Sequence, residues 1–311
     1  MNSYRKKSYI CIMLYNRRKI LLALIEAIGK ELTAIQIQKY LFLYTREQQY
    51  KSYDFIPYYY GCFSFQANQD ISSLTKSGYL EMLDQDSSTI IKLVKKENYR
   101  SMLDMFEQQI LRKIIKDYGN MSQTDLIRYT YTHYPYYATK STIAKDILTT
   151  EELAKIEKQK RKFEDPVLFT IGYEGISLET YINKLIINDI HVLCDVRKNA
   201  YSQKYGFSKS QLEKACKGVG IQYIHIPQLG IDSEQRQDLK SQKDYDNLFD
   251  LYEKTTLKEN QQYLHYVREI IDANKRVALT CFEARPEQCH RSRVAKHLML
   301  LPNVNYEQKH L

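Results

Sequence analysis

The side chains best suited to chemistry are concentrated in one stretch near the C-terminal end of the chain. Two thiols, a carboxylate, an imidazole and a guanidinium occur there: Cys281, Glu283, Cys289, His290 and Arg291. The apolar run at 277–280 before them predicts a buried strand, and helical spacing resumes at Val294. Because ligands bind outside the carboxyl ends of parallel strands, and helix N-termini offer free N–H groups to anions, the stretch predicts a site for a negatively charged substrate.

Other polar side chains lie at the ends of predicted strands in the same half of the chain. Buried-type strands are expected at 167–171, 190–194, 221–226 and 276–281, and they alternate with amphipathic helices, which is the pattern of a parallel α/β sheet. The residues in or just after the first three strands are Tyr173, Glu174, Asp195, Arg197, Ser202 and Tyr223. If the strand ends meet at one edge of the sheet, these side chains converge with those at 281–291.

The chemistry of these side chains suggests two groups of site residues. The candidate catalytic residues are Glu174, Asp195, Glu283 and His290. The candidate substrate-binding residues are Tyr173, Arg197, Ser202, Tyr223, Cys281 and Arg291. Carboxylates beside arginines stay ionised and carboxylates against apolar walls are pushed toward the neutral form, so such a set can supply both base and acid. A structural role for His290 and Arg291, as an ion-paired helix cap, stays open.

Two hydrolytic reactions fit this set of residues. Cleavage of an N-glycosidic bond needs a carboxylate at an oxocarbenium-like centre and an aromatic face for a flipped base, and Glu174 or Asp195 with Tyr173 would meet those needs. Cleavage of a phosphodiester bond would instead use the carboxylates as Mg²⁺ ligands and the arginines as phosphate contacts. The cofactor is therefore unknown, and Mg²⁺ is expected only if the protein is a nuclease.

Thiol chemistry is a further alternative, with less support. Asp195 and Arg197, followed by a strand that ends at Cys281, resemble the layout of rhodanese-like thiol enzymes. However, the residues after Cys281 lack a short glycine-bearing loop that would wrap an anion, and Pro286 interrupts them.

A zinc site is disfavoured by the spacing of its candidate ligands. Cys281, Cys289 and His290 offer three ligands, with Cys194 as a fourth. The seven-residue gap and the adjacent Cys-His pair do not match the usual zinc spacings. No metal site is therefore predicted.

Length and composition indicate two globular domains. The chain has 311 residues, 43% hydrophobic and 27% charged, and domains commonly contain roughly 100–200 residues. We expect a helical, winged-helix-like binding domain at 1–148, a linker helix at 149–165, and an α/β domain at 166–311. The predicted fold class is thus a parallel-sheet α/β domain preceded by a mainly helical one.

The N-terminal half has the features of a binding module. Helices are expected at 20–28, ended by Gly29, and after Thr33 as N-cap, then at 70–77, with a hairpin at 81–93. Residues 1–165 carry 26 Lys+Arg against 19 Asp+Glu (+7), whereas residues 166–311 carry 20 against 18 (+2). A basic surface favours a polyanionic partner. The tyrosines clustered at 53–60 and 129–137 either stack on bases, line a protein-binding groove, or belong to the core.

The C-terminal half resembles the domain of unknown function 488 family over about residues 166–300. Four motifs occur in the family's order: TIGYEG at 170–175, DVR at 195–197 with Ser202, YIHIPQLG at 223–230, and CFE at 281–283 with CHR at 289–291. The chain departs from the family at Ile231, where a second glycine is usual. The resemblance implies this fold and a site at these motifs, and because some members are labelled as DNA-repair proteins it implies action on DNA.

Residues 15–145 resemble the SocA or Panacea antitoxin-like domains. The resemblance rests on AIQIQKYLFL at 34–43, FIPYYYGCFS at 55–64, DYGNMS at 117–122 and THYP at 132–135. Members occur as antitoxins and as modules in phage-defence operons. The resemblance implies recognition of DNA or of a protein partner rather than catalysis.

These observations predict a nucleic-acid-processing enzyme that acts on DNA in repair or phage defence. The alternative is a non-enzymatic, antitoxin-like regulator that binds DNA or protein. A cytoplasmic location without a membrane partner is expected, because the apolar run after Arg5 lacks a cleavage site and is far shorter than the roughly 20 residues that cross a bilayer. Six scattered cysteines also fit a reducing compartment.

Overall fold

The computed structural model describes residues 14–85, 88–236 and 239–311, and the chain divides into two compact units. The N-terminal unit comprises Met1–Gln159 and the C-terminal unit comprises Lys160–Leu311. Residues 1–13, which include most of the apolar run after Arg5, lie outside the described residues.

The N-terminal unit is mainly helical with a small antiparallel sheet. Its elements are α1 (Asn16–Ile28), β1 (Leu32–Thr33), α2 (Ala34–Glu47), β2 (Ile56–Tyr58), β3 (Gly61–Phe63), α3 (Phe65–Lys76), β4 (Leu80–Gln85), β5 (Ser88–Leu93), α4 (Met105–Tyr118), α5 (Gln123–His133), α6 (Ala144–Ile147) and α7 (Thr150–Glu157). Within the described residues, the strand order β1-β5-β4 together with α1, α2 and α3 is the winged-helix order, with the hairpin β2–β3 inserted before α3. The predicted hairpin at 81–93 corresponds to β4 and β5.

Local signals in the sequence explain where these helices begin and end. Gly29 ends α1 in the left-handed conformation, at φ 69°. Thr33 starts α2 with a capping box in which Gln36 returns a hydrogen bond. Most of the clustered tyrosines are core residues, because Tyr53 and Tyr131 are buried and others pack against the core.

The C-terminal unit is built on a five-stranded sheet, counted over the described residues, in which every neighbouring pair of strands is parallel. Its elements are β6 (Val167–Gly172), α8 (Leu178–Ile187), β7 (Val192–Asp195), α9 (Lys209–Gly218), β8 (Gln222–His225), α10 (Gln242–Tyr252), α11 (Gln261–Asn274), β9 (Arg276–Cys281), α12 (His290–Met299) and β10 (Glu307–His310). The strand order is β10-β6-β9-β7-β8. The predicted α/β class with a parallel sheet is confirmed.

The edge strand β10 was not predicted, since β9 was expected to be the last strand. Its residues are mostly exposed, so they carry no hydrophobic alternation that would mark a strand. The strand forms because its backbone pairs with β6, from Glu307 with Val167 to His310 with Thr170. In the part of the chain that the structure describes, no helix has the length and apolar character needed to cross a membrane.

Candidate functional site

The carboxyl ends of four neighbouring strands lie level with one another. Gly172 of β6 pairs with Cys281 of β9, and Asp195 of β7 pairs both with Thr280 and with His225 of β8. The loops that follow these strands therefore emerge at one edge of the sheet, as the order of strands and helices predicted.

Two of these loops are joined through their backbones. The N–H groups of Tyr173 and Glu174 donate to the carbonyl oxygen of Phe282, at 3.1 and 2.9 Å. A Cβ atom on Gly172 would lie 1.9 Å from the carbonyl oxygen of Glu283, so only glycine allows this approach. Gly172 of the TIGYEG motif therefore allows the loop after Cys281 to lie directly against the end of β6.

Asp195 is at the centre of a buried polar network. Its side chain is 0% exposed and accepts hydrogen bonds from Arg197 Nε (2.8 Å), Arg197 Nη2 (2.5 Å) and the Tyr223 hydroxyl (2.6 Å). Burial alone would lower the pKa of Arg197, but its hydrogen bond and ion pair with Asp195 raise the pKa above its ordinary value. Because the carboxylate is enclosed and fully paired, this geometry favours a positioning role for Asp195 and Tyr223 over direct contact with a substrate.

Arg197 connects this network to the wall of a pocket. Its Nη1 donates to the Tyr173 hydroxyl at 2.8 Å and to the carbonyl oxygen of Phe207 at 2.9 Å. The Tyr173 ring stacks on Phe207 at 4.3 Å between centroids. Burial raises the pKa of Tyr173, so at neutral pH its hydroxyl is neutral.

The thiol of Cys281 lies between an imidazole and a carboxylate. Its Sγ is 3.7 Å from His290 Nδ1 and 3.4 Å from Glu283 Oε2. His290 Nε2 is 2.8 Å from the carbonyl oxygen of Val196, which can only accept, so Nε2 carries a hydrogen and Nδ1 is the ring nitrogen that faces the Cys281 thiol. Cys289 is also buried here, and burial raises the pKa of its thiol well above the usual range.

Glu174 and Arg291 hold the loop after β9 in place. Glu174 is exposed, and its Oε2 accepts from the N–H of Ala284 at 3.0 Å. Arg291 is buried and donates to the carbonyl oxygens of Glu283 (2.5 Å) and Ala284 (3.0 Å). The N–H of Ala284 in this loop is therefore occupied by the Glu174 carboxylate.

A pocket of about 260 Å³ opens where the loops after β6, β7 and β9 meet. Five predicted site residues line it: Tyr173, Arg197, Ser202, Cys281 and His290. The predicted residues Glu174, Asp195, Tyr223, Glu283 and Arg291 lie around it instead and contact the loops or the residues that form its wall.

Several residues of the pocket were missed by sequence reasoning. They lie mainly on the loop after β7 and comprise Lys198, Asn199, Tyr201, Gln203, Ile231 and Phe282. Tyr201 is 71% exposed and Phe282 is 42% exposed. The sequence signal that could have identified Tyr201 and Phe282 as pocket residues is an aromatic side chain within a polar loop. Ser208 is the N-cap residue of α9, but its Oγ accepts from the N–H of Ser202 instead of a helix N–H and shapes this loop.

The fold and the site define a parallel α/β domain with a polar and aromatic pocket at its strand ends. A family model described as "Domain of unknown function DUF488" matches residues 177–298, which lie within the C-terminal unit. This region is therefore similar to that family, as the motifs predicted, and the resemblance of the N-terminal half to antitoxin-like domains stays a prediction. No curated protein and no solved structure matched the chain.

Proposed function

We infer that the C-terminal unit is a hydrolase that acts on a nucleotide unit of nucleic acid, and that the N-terminal unit binds the same class of substrate. The observation that carries this proposal is the pair of exposed rings, Tyr201 and Phe282, at a pocket whose lining includes Cys281 and His290. Exposed aromatic faces stack on bases of any sequence.

The charge and size of the pocket support a nucleotide-sized ligand. Lys198 is exposed beside Tyr201, where an ammonium can contact a phosphate while the ring contacts the base. The pocket volume of about 260 Å³ is below the roughly 300–1,000 Å³ typical of drug-sized ligand sites. One flipped or single-stranded nucleotide fits these limits better than a larger molecule.

The proposed reaction is a simple hydrolysis. Glu283 lies behind the pocket wall, where its Oε2 is 3.4 Å from the Sγ of the pocket residue Cys281. In the proposed reaction it accepts a proton from water, and the water oxygen bonds to the electrophilic carbon of a glycosidic bond or phosphorus of a phosphodiester. The bond to the leaving group breaks, and the leaving group keeps the electron pair and takes up the proton. One water is consumed, and no oxidant or reductant is needed. Glycosidic and phosphodiester bonds both remain candidates.

The N-terminal unit supports a role in binding DNA through its winged-helix order and the basic charge of its half of the chain. A protein partner is the alternative for this unit. A cytoplasmic location is part of the proposal, because six cysteines scattered along the sequence fit a reducing compartment. DNA repair or phage defence is the proposed setting.

The proposal is tested by incubating the full chain with normal and base-modified DNA, single- and double-stranded, with added Mg²⁺ or with EDTA. Strand breaks that need metal identify a nuclease, and breaks that appear only after alkali treatment identify a glycosylase. Tight binding without a chemical change in any substrate contradicts the hydrolase and supports a regulator.

A further inference from the structure

We propose that Cys281, Cys289 and His290 form a zinc-binding site in the wall of the strand-end pocket. The two Sγ atoms and one imidazole nitrogen all lie within 4.8 Å of one another, and all three residues are buried. Among the common divalent ions, zinc is one that readily binds a set of two thiolates and an imidazole. This site stands on its own geometry and does not depend on the hydrolase being correct.

The orientation of His290 is that of a metal ligand. Its Nε2–H donates to the carbonyl oxygen of Val196 at 2.8 Å, and Nδ1 faces Cys281 Sγ. Ligating histidines almost always donate their other N–H to a carbonyl, carboxylate or water, which fixes the ring and its tautomer. The loop after β7 thus directs a nitrogen lone pair toward the thiols before any metal binds.

The distances suit a tetrahedral ion after a small adjustment. Bond lengths of about 2.3 Å to sulfur and about 2.0–2.1 Å to nitrogen place tetrahedral ligand atoms roughly 3.5–3.8 Å apart. The separation of 3.7 Å between Cys281 Sγ and His290 Nδ1 lies in that range. The widest separation in the group is at most 4.8 Å, so it would need to shorten by no more than about 1 Å for tetrahedral coordination.

The turn between the two thiols explains why spacing along the chain argued against zinc. The segment Pro286–Gln288 forms a single 3₁₀ turn, closed by the N–H of Cys289 donating to the carbonyl oxygen of Pro286 at 3.1 Å. This turn returns the chain to the end of β9, so Cys289 reaches Cys281 across seven intervening residues. Cys194, considered earlier as a fourth ligand, packs in the hydrophobic core instead.

Three protein ligands leave one position for water, as in catalytic rather than structural zinc sites. Two of the three ligands, Cys281 and His290, also line the strand-end pocket. A zinc ion held by these residues would supply a bound water that is acidic enough to lose a proton near neutral pH. Glu283, whose Oε2 lies 3.4 Å from Cys281 Sγ, is the neighbouring carboxylate that can accept the proton.

The test uses the full chain, purified under reducing conditions and stripped with a chelator. Titration with Zn²⁺ is expected to give one tightly bound ion per chain. Titration with Co²⁺ is expected to give a thiolate-to-cobalt charge-transfer band and the intense visible bands of tetrahedral cobalt. A wild-type protein that binds no stoichiometric Zn²⁺ and gives no thiolate–cobalt band overturns the proposal.

Variants assign the ligands. Cys289→Ala and His290→Ala are expected to weaken zinc binding by more than the roughly 10- to 100-fold that follows loss of an outer-shell partner. Cys216→Ala, at another buried cysteine of the same unit, should leave affinity unchanged. Undiminished binding by folded Cys289→Ala contradicts the assignment. If the ligand variants fail to fold by circular dichroism, the wild-type cobalt spectrum decides alone.

Discussion

Asp195 and Arg197 form an ion pair inside the C-terminal unit. Arg197 Nε lies 2.8 Å from one carboxylate oxygen and Nη2 lies 2.5 Å from the other, and both side chains are buried. The remaining guanidinium nitrogen reaches Tyr173 in the pocket wall. The carboxylate is thus linked to the pocket wall through Arg197.

Replacing Asp195 with asparagine should destabilise the protein strongly. The amide is similar in size but uncharged, so the guanidinium of Arg197 would stay buried without its counter-ion. Breaking a buried ion pair typically costs about 3–5 kcal/mol. Urea unfolding measures the change. Glu47→Gln, which removes the exposed pair of Glu47 with Lys113, is the control and should change stability little. Equal effects of the two variants would refute the positioning role.

Replacing Gly172 with alanine should displace the loop after β9. The new Cβ would meet the carbonyl oxygen of Glu283, and backbone atoms there cannot move independently of the loop. A loss of roughly 1–3 kcal/mol or more is expected, together with weaker ligand binding in the pocket. Gly78→Ala is the control, because its Cβ would enter open space although φ is 77°. Thermal unfolding that ranks Gly78→Ala as the more damaging change would contradict this account.

Replacing Tyr201 with alanine should weaken binding of single-stranded DNA. Stacking of a base on an aromatic ring contributes about 1–3 kcal/mol, which corresponds to roughly 5- to 150-fold in Kd. Fluorescence anisotropy with a labelled oligonucleotide measures the change on the full chain. Tyr266→Ala, at an exposed tyrosine on α11, is the matched control. Unchanged affinity in Tyr201→Ala would exclude stacking at the pocket mouth.

The buried Lys39 makes stability depend on pH in a predictable direction. Its Nζ donates to the carbonyl oxygens of Tyr60 and Cys62, and burial lowers its pKa from the ordinary value of 10.5. Between the lowered pKa and 10.5 the unfolded chain holds a proton that the folded chain has released, so this residue makes stability rise with pH across that window. Below this pH window, the buried charge of Lys39 lowers the stability by an amount that does not change with pH.

Urea unfolding of wild type and Lys39→Met between pH 7 and pH 10 tests this effect. The unfolding free energy of wild type should increase relative to that of Lys39→Met as pH rises. If the unfolding free energy of wild type stays constant or decreases relative to that of Lys39→Met, the pKa of the lysine is not lowered by burial.

The sequence was informative where local chemistry determines structure. The capping box at Thr33, the left-handed Gly29 and the buried strands β6 and β9 follow from residue type and periodicity. The edge strand β10 was missed because its partner, not its own composition, makes it a strand.

The site was only partly predictable, for a related reason. Residue types identified Tyr173, Cys281 and His290 as pocket residues. They did not reveal that Asp195 is enclosed by its donors, because that depends on packing between separate strands. The spacing of the residues also did not reveal that Cys289 lies close to Cys281, because the turn at Pro286–Gln288 that brings them together cannot be read from the number of intervening residues.

The central claim is that the strand-end pocket hydrolyses a bond in nucleic acid with Glu283 as proton acceptor. The most direct test is the initial rate of cleavage by wild type, Glu283→Gln and Glu174→Gln on the best oligonucleotide substrate. Glu283→Gln should lower kcat by about 100-fold or more, the usual contribution of a general base. Glu174→Gln should retain most activity, because its amide oxygen can still accept from Ala284. Cleavage by Glu283→Gln at the wild-type rate, or no cleavage of any oligonucleotide by wild type, would contradict the claim.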